Sequence, residues 1–177
     1  TYPSEPTNSD EGTGVFGLNT TATARSYDGF TAQPFSQEII KEDETTVVRI
    51  EYKRNTHSLT WNGNGGTLSG GTSGNSIKFG TPITEPTPAR TGYTFFGWGT
   101  AADANETVTI PATMPDNNLA YYAIWKINKY VATFYLNNGT NDIFINPEIE
   151  FGTAISEPAG RPRSEDDYDG HHDFIGW

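Results

Sequence analysis

The sequence contains no cysteine, so disulfide bonds cannot stabilise it. It also lacks an apolar run of the roughly 18–20 residues that a membrane-spanning helix needs. No basic segment followed by an apolar one opens the chain, so we expect any signal peptide to lie outside this segment. Positive charge is scarce, because 11 Lys and Arg stand against 22 Asp and Glu, for a formal net charge of −11. Such a surface repels phosphate backbones and anionic lipid headgroups, which predicts no nucleic-acid partner. The lack of a long apolar run predicts no membrane insertion within this segment.

Aliphatic residues are also few. Hydrophobic residues make up 34% of the 177-residue chain, and aromatic residues alone make up 13% of the chain. This balance favours several small cores, each formed around a few rings, over one large core. The 19 Gly and 11 Pro favour short strands joined by turns and disfavour long helices. The composition therefore predicts a mainly β chain made of small modules.

An internal repeat is visible in the sequence. Residues 79–86 and 151–158 share six of eight identities at an offset of 72 (151 − 79). Upstream, Thr60-Trp61 matches Thr133-Phe134 at an offset of 73 (133 − 60). Matches in the same order and at nearly constant offset indicate two copies of one module.

The copies diverge downstream of these matches. Phe95–Trp98 matches Phe174–Trp177 at an offset of 79 (174 − 95). The growth of the offset predicts a seven-residue insertion in the second copy, within an acidic loop at Arg161–Asp173. From this repeat we predict three modules, at 1–55, 56–127 and 128–177, with the second copy incomplete.

Local patterns predict the strands of these modules. Alternation of apolar residues and turn signals favour strands in the first copy at Ser58–Trp61, Ser76–Phe79, Gly92–Trp98 and Leu119–Trp125, with a short segment at Val108–Ile110. Gly63–Gly66 is typical of a turn in a hairpin-like context.

The N-terminal part is predicted to be different. Ala22–Phe30 and Phe35–Ile40 are short strand candidates. The clearest strand is predicted over Thr46–Tyr52, where every second residue would share one face. Lys53-Arg54-Asn55 then leads directly into the first repeat, and so short a joint predicts modules in an extended row.

The motifs of the first copy resemble those of the Listeria–Bacteroides repeat, also called the internalin B-repeat. They are Trp61–Thr67, Pro86-Thr87-Pro88, Arg90–Trp98 and Tyr122–Lys126. The second copy is similar over its first two-thirds. Ala24–Thr31 with Thr45–Asn55 resembles the end of a mucin-binding-like module of Gram-positive surface proteins.

The resemblance implies a β-grasp-like (α+β) module with a small twisted sheet and at most one short helix. It implies an extracellular place on the bacterial cell surface or cell wall, and a role in adhesion or as a spacer. It supplies no catalytic residue and no cofactor. We therefore expect no enzyme activity, no cofactor and no catalytic or metal site.

One cluster has metal-ligand character, formed by His171-His172-Asp173 after Asp166–Gly170. Adjacent histidines on a strand point to opposite faces, which is poor geometry for one ion. A solvated acidic loop is the favoured interpretation and an ion site the alternative. A Ser/His/Asp triad is not predicted, because the third histidine, His57, lies at a module start.

Aromatic residues offer two interpretations, a module core or a sugar-stacking platform, with the core favoured. They are Trp61, Phe95, Phe96, Trp98, Tyr121, Tyr122 and Trp125. Phe95 and Phe96 would point to opposite faces of a strand, so one of them is expected at the surface. Lys78 lies between apolar residues, but no intramolecular crosslink is predicted from it.

The sequence therefore predicts a non-catalytic stalk and adhesive segment of a bacterial surface adhesin. Its expected partner is a protein or glycan on a host or neighbouring cell. Two alternatives stay open. The chain could be a filament subunit that pairs with itself through exposed sheet edges, or a glycan-binding accessory module of a secreted enzyme.

Overall fold

The computed structural model describes residues 9–135, 143–156 and 158–159. Within these residues the chain forms strands and no helix. The strands are β1 (Phe30–Ala32), β2 (Tyr52–Arg54), β3 (Thr56–Asn62), β4 (Thr67–Ser69), β5 (Gly74–Lys78), β6 (Thr87–Ala89), β7 (Tyr93–Gly99), β8 (Leu119–Ile127), β9 (Lys129–Val131), β10 (Phe134–Tyr135), β11 (Ile143–Ile145) and β12 (Glu148–Glu150).

The strands form several small sheets, which confirms the mainly β prediction. One sheet has four strands in the order β5-β3-β8-β7, and β1-β2, β4-β6, β9-β12 and β10-β11 are two-stranded. The pairing of β9 with β12 repeats that of β3 with β5. Tyr130 lies opposite Ile149 in one pair and His57 opposite Ile77 in the other, in agreement with the sequence repeat.

The chain divides into two compact units. The first holds the described residues of Thr1–Leu59, Ser73–Ile83 and Pro111–Leu119. Its fully buried side chains are Leu59 and Met114. The backbone of Met114 is held on both sides, since its N–H donates to the Thr81 carbonyl and its carbonyl accepts from the Gly80 N–H, each at 2.8 Å.

The second unit holds the described residues of Thr60–Thr72, Thr84–Ile110 and Ala120–Trp177. Its buried hydrophobic residues are Trp98, Tyr121, Ala123 and Ile124. In the β7–β8 ladder, Phe95 lies opposite Trp125 and Gly97 lies opposite Ile124, with an irregularity between them. A β-bulge of this kind leaves one residue unpaired and bends the strand.

The bulge decides which phenylalanine faces outward. Phe96 is the extra residue and is 61% exposed, whereas Phe95 is half-buried and Trp98 is buried. This confirms the prediction that one of the two phenylalanines lies at the surface. The bulge was not predicted from the sequence, although a glycine inside a predicted strand, here Gly97, often marks one. In the structure Gly97 has a φ of 153°.

The strand prediction over Thr46–Tyr52 was wrong for all but its last residue, Tyr52. The predicted face exists, because Thr46, Val48 and Ile50 are half-buried while Val47 is 70% exposed. However, no strand pairs with residues 46–51 in the part of the chain that is described. Alternation predicts which side chains share a face, but a strand also needs a neighbour for its backbone hydrogen bonds.

Three further predictions need correction. Ala22–Phe30 reaches a strand only at Phe30, and Phe35–Ile40 supplies only an isolated bridge at Ile39. Val108–Ile110 forms no strand, although the Val108 N–H donates to the Trp98 carbonyl at 2.8 Å. The common reason is that these segments are short and do not form a continuous ladder. Residues 38–40 make three backbone hydrogen bonds with residues 17–20, but these produce one bridge and no strand.

Candidate functional site

Five aromatic residues of the first repeat form one connected cluster. Trp61 lies between Trp98 and Tyr121, with ring centroids 4.6 and 5.0 Å apart. Phe95 contacts Trp98 at 5.1 Å and Trp125 at 5.7 Å, both edge to face. Such arrangements are attractive beyond the area that they bury. Burial also raises the pKa of the Tyr121 phenol.

The three indole N–H groups of this cluster are all occupied. Trp61 donates to the Thr72 carbonyl at 2.7 Å, and Trp125 donates to the Gly63 carbonyl at 2.8 Å. Trp98 donates to the Glu85 carboxylate at 2.9 Å. Each bond fastens a loop to the cluster.

These contacts favour the core over the sugar-stacking platform. A ring that stacks on a sugar needs an open face, and the rings of the cluster pack against one another. Phe96 is the exposed ring of β7, and the half-buried Tyr122 lies outside the ring contacts of the cluster. The platform alternative is therefore left with these two residues. An exposed single phenylalanine is common on protein surfaces.

The turn prediction for Gly63–Gly66 is confirmed, but its hairpin context is wrong. The turn joins β3 to β4, which belong to different sheets. The Gly66 N–H donates to the Gly63 carbonyl at 2.8 Å, and the Asn64 N–H donates to the Asn62 side chain at 2.8 Å. Because these donors are satisfied inside the loop, they do not form a phosphate cradle.

Asp116 is the best-connected carboxylate of the first unit. Its carboxylate contacts His57 Nε2 at 2.7 Å and accepts two bonds from Asn55 Nδ2, at 2.9 and 3.1 Å. The hydrogen bond from His57 is the largest cause that lowers the pKa of Asp116, followed by the bond from Asn55. Neither side chain of the ion pair is buried, since 22% of His57 and 33% of Asp116 are exposed.

We expect His57→Ala to raise the pKa of Asp116 towards its ordinary value of about 3.9. A carboxyl whose pKa is lowered by folding stabilises the fold above that ordinary pKa, and this contribution is lost as the pH falls through the lowered value. The variant should therefore lose less stability than the wild type on acidification. Carboxyl ¹³C NMR titration measures the shift, with Asp43 as internal control because Thr45 lowers its pKa independently. An unchanged Asp116 pKa would show that His57 does not act on it.

Other predicted chemistry receives no support or lies outside the described residues. Lys78 is exposed, and no charged side chain in the described ranges is buried, which does not favour an intramolecular crosslink. The Asp166–Asp173 cluster, the predicted insertion at Arg161–Asp173 and the repeat match at Phe174–Trp177 lie outside the described residues.

Residues 57–124 match the family model of the Listeria-Bacteroides repeat domain. The resemblance seen in the first copy is thereby confirmed. The match does not include residues 1–55, whose mucin-binding-like character stays a prediction. The module boundaries after residues 55 and 127 are likewise still predictions.

Two relatives come from Evansella cellulosilytica. One, named "Putative membrane protein", is 31% identical over 147 residues, which is 82% of this chain and 20% of that protein. The other, named "Putative Gly-rich membrane protein", is 30% identical over 135 residues, 76% of this chain and 14% of that protein. The chain thus spans a fifth or less of the curated relatives it matches. No solved structure matches it.

Both relatives are named as membrane proteins. In the ranges that the structure describes, this chain forms no helix with the length and hydrophobicity needed to cross a bilayer. What the matches do establish is that residues 57–124 resemble a repeat domain and that most of the chain is similar to parts of longer proteins.

Proposed function

We propose that this chain is a non-catalytic segment of a bacterial cell-surface adhesin, acting as a stalk and adhesive repeat. The observation that carries this proposal is the length of the connections between predicted modules. β2 ends at Arg54 and β3 begins at Thr56, while β8 ends at Ile127 and β9 begins at Lys129. One residue separates the strands at each point, which leaves little freedom for a flexible hinge.

Other features support the same role. The repeat-domain match and the names of the relatives favour a setting at the bacterial surface. The aromatic side chains that could have formed a binding platform are mostly engaged with one another. A net charge of −11 keeps the surface soluble and makes neighbouring copies repel each other. The ligand would be a protein or glycan of a host or neighbouring cell.

Small-angle X-ray scattering tests the stalk. A compact chain of this length has a radius of gyration of about 16 Å. We expect a clearly larger value and a distance distribution with a long tail, because modules joined by one residue cannot easily fold back on each other. A value near that of a compact particle, with a symmetric distribution, would contradict the stalk.

Self-association is a second candidate, favoured by one observation. β7 is an outer strand of the four-stranded sheet and carries the exposed Phe96, and one of its carbonyls, that of Trp98, is already bonded to the Val108 N–H. Outer strands can pair with strands of another molecule. Analytical ultracentrifugation over a concentration series separates the two candidates, since a stalk segment stays monomeric and a filament subunit does not.

A further inference from the structure

The first joint between predicted modules consists of Gly29, Phe30, Thr31, Asn55 and Phe79. The Asn55 N–H donates to the Gly29 carbonyl at 2.9 Å, and its carbonyl accepts from the Phe79 N–H at 2.8 Å. Thr31 Oγ1 donates to Asn55 Oδ1 at 2.6 Å. The rings of Phe30 and Phe79 meet edge to face at 6.1 Å. Asn55 is therefore bonded on one side to its own predicted module and on the other to the following one.

The second joint repeats this arrangement with Gly92, Tyr93, Thr94, Asn128 and Phe151. The Asn128 N–H donates to the Gly92 carbonyl at 2.9 Å, and its carbonyl accepts from the Phe151 N–H at 2.9 Å. Thr94 Oγ1 donates to Asn128 Oδ1 at 2.7 Å. The rings of Tyr93 and Phe151 meet edge to face at 6.4 Å. Each of the four contacts named for the first joint has its counterpart here.

The strand pairs that carry these residues, β1–β2 and β7–β8, have equivalent registers at the two joints. Phe30 lies opposite Arg54 in β1–β2, and Tyr93 lies opposite Ile127 in β7–β8. Yet the chain between glycine and asparagine advances 26 residues in the first joint (55 − 29) and 36 in the second (128 − 92). The joint is therefore retained although the segments between glycine and asparagine differ in length by ten residues (36 − 26).

Glycine is required at both joints for two reasons. The φ angles are 73° at Gly29 and 77° at Gly92, a region that other residues adopt with strain. A Cβ at Gly29 would also overlap the ring of Phe79, and a Cβ at Gly92 would overlap the ring of Phe151. The phenylalanine ring of the following module thus packs directly against the glycine backbone.

We propose that the Gly-aromatic-Thr turn and the asparagine form a socket, and that its partner is the Phe-Gly turn of the module that follows. Phe79-Gly80 and Phe151-Gly152 are the two turns, each with a positive φ at its glycine. The socket couples successive modules and is directional, because the Gly-aromatic-Thr turn comes from the preceding module and the Phe-Gly turn from the following one. This inference deepens the proposed stalk function and rests on it for its biological purpose.

The phenylalanines are not simply core residues of their own modules. Phe151 is 40% exposed, and the buried hydrophobic residues described above do not include Phe79 or Phe151. Their ring contacts are with Phe30 and Tyr93 of the preceding predicted module. Phe79 is half-buried and Phe151 exposed, and a ring that is not fully buried and contacts a ring of the preceding predicted module is better explained by a role at a joint than by module stability.

A double-mutant cycle at the second joint tests the socket in the full chain. Phe151→Ala removes the ring, Gly92→Ala adds the overlapping Cβ, and the double variant removes the overlap again. Amide hydrogen exchange at Asn128 reports on the joint. We expect Phe151→Ala to speed this exchange by about tenfold or more, with exchange at Asn55 unchanged. Phe96→Ala, an exposed phenylalanine outside the joint, is the matched control and should leave both rates unchanged.

The coupling itself is read from the cycle. Gly92→Ala should speed exchange at Asn128 strongly in the wild type and much less in the Phe151→Ala background, because only the backbone strain remains there. Additive effects, or an unchanged rate in Phe151→Ala, would overturn the socket. Small-angle scattering tests the stalk independently of this cycle. A compact particle together with a coupled cycle would contradict the stalk and support the socket. An elongated particle together with an additive cycle would support the stalk and contradict the socket.

Discussion

Trp98→Ala should destabilise the second unit by about 3–5 kcal/mol, as deletion of a large buried ring does. Trp98 is 3% exposed and contacts both Trp61 and Phe95. Its removal would separate these two rings and free Glu85 from its indole partner. Because a whole domain is stable by only about 5–15 kcal/mol, this loss would leave the module marginal or unfolded at room temperature.

Urea unfolding followed by circular dichroism measures this loss. Phe96→Ala is the control, since it deletes an exposed ring from the same strand and should change stability by less than about 0.5 kcal/mol. Trp98→Phe should fall between them, because it keeps a ring but lacks the N–H that reaches Glu85. Equal midpoints for Trp98→Ala and Phe96→Ala would show that the cluster is not the core. Sugar binding, if it exists, must therefore be tested at Phe96, where truncation leaves the fold intact.

Composition and repeats were sufficient to predict the class of the fold. Few aliphatics, many rings and many turn residues imply short strands around aromatic cores. The second unit has that form, whereas the fully buried side chains of the first unit are Leu59 and Met114. The repeat match at Phe79 and Phe151 also located residues that the structure places in equivalent backbone environments. Such matches are informative because they compare two parts of the same chain under the same structural demands.

Pairing between strands could not be predicted in the same way. Thr46, Val48 and Ile50 alternate as a strand would, yet residues 46–51 have no ladder partner in the described ranges. The bulge at Phe96 was missed because it depends on which residue of β8 lies opposite each residue of β7. Both features arise from contacts between distant segments, which local patterns do not contain.

The joints were predicted only in part. Lys53–Asn55 was recognised from the sequence as a short connection, but the roles of Gly29 and Phe79 were not predicted. The signal was present as the paired occurrence of Gly-aromatic-Thr and Phe-Gly-Thr in both predicted joints. It was missed because glycine before an aromatic residue is ordinary in a turn, and only the overlap of a Cβ with the ring gives it meaning.

Leu59→Ala is expected to destabilise the first unit by about 2–5 kcal/mol. Leu59 is fully buried, and it lies opposite Gly74 in the β3–β5 ladder. Because glycine has no side chain to move into the space, the cavity left by the leucine should not collapse, which places the loss in the upper part of that range. Thr60→Ala changes the next, exposed residue of β3 and should cost less than about 1 kcal/mol.

Hydrogen exchange at Met114 separates a local loss from a general one. Its N–H bonds to the Thr81 carbonyl within the first unit, whereas the indole of Trp98 reports on the second. If Leu59→Ala speeds exchange at Met114 and leaves the fluorescence of the Trp98 cluster native, the two units open independently. If both change together, they unfold as one cooperative body, and a tension applied to the proposed stalk would be shared by both. An unchanged Met114 rate would show that Leu59 does not support the core of the first unit.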